Sequence, residues 1–172
     1  DDPETQVDLV KIEEDGVHFR SHIDGSVHFF TPEKSIEIQK KLGADIILAF
    51  DDCPPNPAIY EKTKKATDHT HAWAKRSLEA FKNIKGDFRQ GLVGIIQGGT
   101  YEDLRERSAK FISRLPFDGI AIGGVAVGET KDEMRAALKW VAPYLPKNKF
   151  RHLLGIGEVD DIFAAVEYGM DM

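Results

Sequence analysis

The chain has 172 residues, 41% hydrophobic and 30% charged, with a net charge of −6 and one cysteine. That length suffices for one domain with a sizeable core. The lone cysteine excludes an internal disulfide or a multi-cysteine zinc site, no apolar run is long enough for a membrane helix, and the acidic balance does not suit holding nucleic acid by phosphate neutralisation.

Asp1 to Asp8 read as an irregular lead-in, acidic and without the basic and apolar regions of a signal peptide. With the single cysteine, this gives the cytoplasm as the expected compartment. Val17-His18-Phe19-Arg20 and Val27-His28-Phe29-Phe30 alternate on either side of Asp24-Gly25, the pattern of a β-hairpin. Thr31-Pro32-Glu33 opens a helix that stops at Gly43. Asp45 to Phe50 is a buried strand, halted by Asp51-Asp52-Cys53-Pro54-Pro55. Tyr60 to Phe81 is a long helix with Ala66, Thr70, Trp73, Ser77 and Phe81 along one side, followed by a loop from Lys82 to Gln90.

Leu92 to Ile96 is a second buried strand, ending in Gln97-Gly98-Gly99, and Thr100 is the expected cap of the next helix. Gly119 to Ile122 is a third strand, ending in Gly123-Gly124. Thr130-Lys131-Asp132-Glu133 is a capping box before a helix with Met134, Ala137, Leu138 and Val141 on one face. Arg151 to Leu154 is the fourth strand, ending in Gly155-Ile156-Gly157. A last helix, Asp160 to Tyr168, is expected to turn Ile162, Phe163 and Val166 inward. Met170-Asp171-Met172 reads as the start of a further strand.

Strict alternation of strands and helices predicts a parallel sheet with right-handed crossovers. No Gly-x-Gly-x-x-Gly opens the first unit, which disfavours a dinucleotide fold. The expected architecture is an α/β, partial (β/α)8 TIM-type barrel of about four βα units with an N-terminal β-hairpin insertion, because a whole barrel takes roughly 250 residues.

Ligand-contacting residues in such folds sit at the carboxyl ends of strands. Here those ends offer Asp51, Gln97, Gly124 and Gly155. An ionised Asp accepts two parallel hydrogen bonds from an N–H/NH2 edge, and a Gln amide matches a carbonyl beside a ring nitrogen. Gly124 lets a backbone N–H approach closely. A planar, amide-bearing heterocycle satisfies all three. Plainer roles stay open: Asp51 as a turn cap, Gln97 as a turn-stabilising amide, Gly123-Gly124 as strand-to-helix geometry, Cys53 as a small apolar residue. His69 and His71 face different sides of a helix, against a shared metal. His18, His22 and His28 fit solvated or packed positions better than a metal site.

Six segments in order make the chain resemble the catalytic barrel of the tRNA-guanine transglycosylases. They are Asp15 to Ser26, Thr31 to Ser35, Leu48 to Pro55, Gly94 to Gly99, Ala121 to Glu129 and Leu153 to Gly157. The resemblance implies exchange of guanine at the tRNA wobble position for a 7-deazaguanine, through a covalent Asp–tRNA intermediate and a flipped-out base. It implies that Asp51, Cys53, Gln97, Gly123, Gly124, Val125 and Leu154 line the base site. It makes Gly155, Ile156, Gly157, Glu158, Val159, Asp160 and Asp161 a tRNA-contacting stretch, a glycine loop entering a helix N-terminus. Cys53 and Val127 resemble the bacterial, preQ1-using version. Leu154 and Val125 depart from the commoner Met and Leu.

The same resemblance places the chemistry outside these residues. The family's nucleophilic Asp follows in a Phe-Asp-Cys motif expected just beyond Met172, so no catalytic residue is assigned in this chain. Asp1 to Val7 lack the glycines and aromatic of the motif holding the proton-transferring Asp. The family's zinc module is absent, so the chain has no cofactor of its own, and one structural zinc belongs to the full-length member. A tRNA, a 7-deazaguanine and a homodimeric partner are the implied associates, with no membrane. Two alternatives stand beside this reading: a non-catalytic half-barrel assembly module, and an unrelated barrel enzyme binding a phosphorylated metabolite through Gly155 to Gly157.

Overall fold

The computed structural model describes residues 9–84 and 89–172. The lead-in from Asp1 to Asp8 and the middle of the expected 82–90 loop lie outside the described residues. The chain begins with an antiparallel sheet of β1 (Val10–Glu13), β2 (Gly16–Arg20) and β3 (Val27–Phe30), in that order. Val17 faces Phe30 and Arg20 faces Val27 across the turn at Asp24-Gly25. The sequence reading missed β1: its four residues are almost wholly exposed, so burial gave them no pattern. Trp73 anchors this sheet by donating its indole N–H to the Glu14 carbonyl at 2.7 Å.

Helix α1 (Pro32–Leu42) has the expected ends: the Lys34 amide donates to Thr31 Oγ1, and Gly43 closes the helix at φ 77°. A parallel sheet follows, in the order β4 (Ile46–Leu48), β5 (Gly91–Ile96), β6 (Gly119–Ile122), β7 (Phe150–Leu153). The helices between them are α2 (Tyr60–Asn83), α3 (Glu102–Ser113) and α4 (Lys131–Val141); α5 (Val159–Glu167) follows β7. The α4 capping box forms in both directions between Thr130 and Glu133. Helix α3 corrects an expectation. Its N-cap is Tyr101, not Thr100, and no side chain caps it.

Helix α5 corrects another. Ile162, Phe163 and Val166 are 48%, 70% and 61% exposed, while Asp161 and Ala165 are buried. Asp161 sets this rotation: it faces α4, with Arg135 at 3.4 Å and Lys131 at 3.6 Å. The last residues run along β7, with the Asp171 amide donating to the Arg151 carbonyl and the Leu153 amide to that of Met172.

The two faces of the parallel sheet differ. Ile47, Leu92, Ile96, Ile120, Ile122 and Leu153 join side chains from all five helices in the main core. Val93, Ile95 and Ala121 point the other way into a small cluster completed by Leu48, Phe150 and Leu154, with no helical residue. Strand alternation thus gives one helix-covered face and one whose cluster contains no helical residue. No helix among the described residues is long and apolar enough to cross a membrane.

Candidate base-binding site at the strand ends

Asp51 stands just past β4 and Gln97 just past β5, 46 residues apart in sequence. Parallel pairing of Leu48 with Val93 brings their strand ends together. Gln97 Nε2 donates to Asp51 Oδ2 at 2.7 Å. Gln97 Oε1 is buried and has no hydrogen-bond partner. Burial raises the Asp51 pKa above the ordinary aspartate value, the Gln97 hydrogen bond opposes this, and the charge of Asp52 adds to it. The pair therefore presents a poorly hydrated carboxylate and an orphan amide oxygen, both of which gain from an incoming N–H donor.

Gly123 and Gly124 complete the floor. A Cβ on Gly123 would lie 2.6 Å from Gln97 Nε2, and one on Gly124 2.5 Å from Gln97 Oε1. Gly124 also has φ 60°, a left-handed conformation. Glycine at 124 is demanded by its left-handed backbone, and at both positions a methyl would also press on the end of the Gln97 side chain, which would have to shift. Val125 buries its side chain in the main core, so its backbone is what it can offer a ligand. Leu154 packs half-buried against the helix-free cluster of Val93, Ile95 and Ala121.

Cys53 is exposed, and desolvation with the neighbouring Asp51 charge pushes its thiol pKa up. It is a neutral thiol at neutral pH, unsuited to nucleophilic attack. A cleft of about 410 Å³ opens beside it, bordered by Asp52, Pro55, Ile59, Lys65 and His69. Asp51 and Gln97 lie outside that cleft.

Several supporting residues were not singled out from sequence. Asp52 turns away from Asp51: its Oδ2 lies 2.8 Å from His69 Nδ1, and its amide donates to Thr70 Oγ1. His69 in turn stacks on Trp73. His71, as expected, faces elsewhere, contacting Ser108 Oγ and stacking on Phe111. Burial lowers its pKa to about 4, so it is neutral. Ser108 Oγ also accepts the Gln97 backbone N–H at 3.2 Å. Arg105, fully buried on α3, donates to the carbonyls of Ile96, Gly99, Gly123 and Gly124. An arginine on a helix gives no local sign of burial in the sequence.

The Gly155 to Asp161 stretch forms the loop into α5. Gly155, Gly157, Glu158, Val159 and Asp160 are exposed and Ile156 is half-buried. Glu158 pairs with Lys131 at 2.7 Å, and Asp161 is buried between Lys131 and Arg135. The helix N-terminus thus carries three carboxylates, two of them engaged by cations, which weakens it as a bare phosphate site. Among the described residues, no three His, Cys, Asp or Glu side chains gather as a metal site.

A family model described as TGT, queuine tRNA-ribosyltransferase, matches residues 3–172. The chain is 52% identical over 164 residues to a queuine tRNA-ribosyltransferase of Caldanaerobacter subterraneus subsp. tengcongensis, covering 95% of this chain and 43% of that protein. It is 48% identical to the protein of that name from Enterococcus faecalis, covering 96% and 42%, and 48% to that from Bacillus cereus, covering 96% and 43%. The chain therefore spans less than half the length of these curated relatives.

Proposed function

Because the chain belongs to the queuine tRNA-ribosyltransferase family, we propose that it carries the base-recognition part of a tRNA-guanine transglycosylase. The whole enzyme would be a pentosyltransferase that removes guanine from the wobble position of tRNA and installs a 7-deazaguanine such as preQ1. The ribose anomeric carbon would be held meanwhile by an Asp nucleophile outside this chain. The target nucleotide must leave its stack to reach the strand ends.

The observation that carries this reading is the Asp51–Gln97 pair. Asp51, ionised, accepts the ring N–H and exocyclic NH2 of a guanine-like edge. Gln97 spends one N–H on Asp51 at 2.7 Å and keeps a buried, unpartnered Oε1 for a ligand donor. The Gly124 N–H meets the base carbonyl, Leu154 covers a ring face, and Cys53 and Gly123 bound the site. Gly155 to Asp161 meets the tRNA backbone, with Lys131 and Arg135 holding down the charge of Glu158 and Asp161.

The helix-free face of the parallel sheet is the inner wall of a (β/α)8 barrel, and the run of Met170 to Met172 along β7 is its next strand. The exposed Ile162, Phe163 and Val166 then await a neighbouring unit. Zinc, if the whole protein holds one, would be bound elsewhere. The enzyme is expected to work as a homodimer in the cytoplasm.

Calorimetry of guanine and preQ1 binding to the full-length gene product tests the reading. Micromolar or tighter binding that Asp51→Asn weakens is expected; undetectable binding of either base would refute it.

A further inference from the structure

Arg105 is the one fully buried cation named beneath the site, and its partners are carbonyl oxygens, not carboxylates. Burying a guanidinium is costly unless its donors are well used. Burial lowers its pKa only to about 10, so it is charged at neutral pH. Nε donates to the Gly99 carbonyl at 2.6 Å, and Nη1 to those of Gly123 at 2.7 Å and Ile96 at 3.3 Å. Nη2 donates to the Gly124 carbonyl. One planar group thus joins the ends of β5 and β6, the two loops that carry Gln97 and Gly124.

The consequence lies in the peptide plane. In a trans peptide the C=O and the following N–H point in opposite directions. Drawing the Gly123 carbonyl onto Arg105 turns the Gly124 N–H away from the guanidinium. Drawing in the Gly124 carbonyl does the same to the Val125 N–H. Among the described residues neither N–H has an acceptor. Two adjacent donors without partners, oriented by one buried cation, make a receptor for a carbonyl oxygen.

We propose that Arg105 is a positioning residue for base recognition. Through the Gly123 and Gly124 carbonyls it aims the backbone N–H groups that select a base bearing a carbonyl oxygen over one lacking it. This rests on the base-site reading above. A lysine cannot replace it, because one ammonium cannot span four carbonyls on two loops.

The test uses the full-length gene product, the variants Arg105→Lys and Arg105→Met, and two probes, guanine and 6-thioguanine, which keeps the ring N–H and amino group that face Asp51 and replaces the carbonyl oxygen by sulfur, a weak acceptor. The unaltered protein should prefer guanine by about tenfold, the scale of one well-made hydrogen bond. Arg105→Lys should lose most of that preference while holding 6-thioguanine within about twofold. Undiminished preference in Arg105→Lys, uniform weakening of both probes, or failure of both variants to fold would overturn the proposal in favour of plain loop-stitching. An unaltered protein that binds neither probe would instead defeat the base-site reading itself.

Discussion

Asp51 and Asp52 face opposite ways because successive residues of an extended chain project to opposite sides. Asp52 reaches back to His69 on α2; Asp51 reaches across to Gln97. Replacing Asp51 by Asn in the full-length protein should weaken guanine binding by about 1.5–3 kcal/mol, the range of a charge-assisted hydrogen bond. Unchanged affinity in calorimetry would return Asp51 to a turn role. The raised Asp51 pKa adds a pH signature. The ionised form is the acceptor, so affinity should rise as pH climbs through a value above the usual aspartate range, and fall below it; Asp51→Asn should flatten that dependence. Gly124→Ala would put a methyl 2.5 Å from Gln97 Oε1 at φ 60°. Base affinity is expected to drop at least tenfold, and a variant that binds normally would show that the Gln97 amide can move aside.

At the scale of elements, the N-terminal sheet is held to the helices by few contacts. Arg76 on α2 makes a two-pronged pair with Glu33 on α1, through Nε at 2.7 Å and Nη2 at 2.8 Å, and donates to the Asp15 carbonyl. The Arg76 hydrogen bonds hold the Glu33 pKa down to about 2 against the opposing effect of burial. A depressed carboxyl pKa stabilises the fold above the normal glutamate range and loses that contribution as pH falls toward 2. The pair is largely solvent-screened, so Arg76→Ala should cost about 0.5–1 kcal/mol at neutral pH and much less near pH 2, where Glu33 is being protonated. Denaturant melts at both pH values measure this; an equal cost at both would assign it to packing of the arginine stem. The helix caps at Thr31 and Thr130 were legible because capping is a local affair of three or four residues. The start of α3 was not, since Tyr101 caps it without a side-chain bond.

On the scale of the whole molecule, one face of the parallel sheet gathers all five helices and the other none. On the proposed reading, which puts the nucleophilic Asp outside these 172 residues, they alone are expected to bring no guanine exchange. Incorporation of radiolabelled guanine into tRNA by this chain would overturn that division of labour. The same chain should associate through the α5 face, where Phe163 is 70% exposed and Val166 61%. Sedimentation of a clean monomer at tens of micromolar would argue that this face is tolerated in water.

The sequence by itself determined the order of the helices and of every strand but β1, most of their ends and the family, because breakers, caps and apolar periodicity act over a few residues. It also marked Asp51, Gln97 and Gly124, since each directly follows an apolar strand. Tertiary structure alone decided which carboxylate faces the site, which way α5 is rolled, and that Arg105 lies buried beneath two loops. The first two outcomes depend on partners 17 to 46 residues apart, as with Asp52 and His69 or Asp51 and Gln97. An arginine's burial is set by the carbonyls that converge on it, and no local pattern in the chain encodes that convergence.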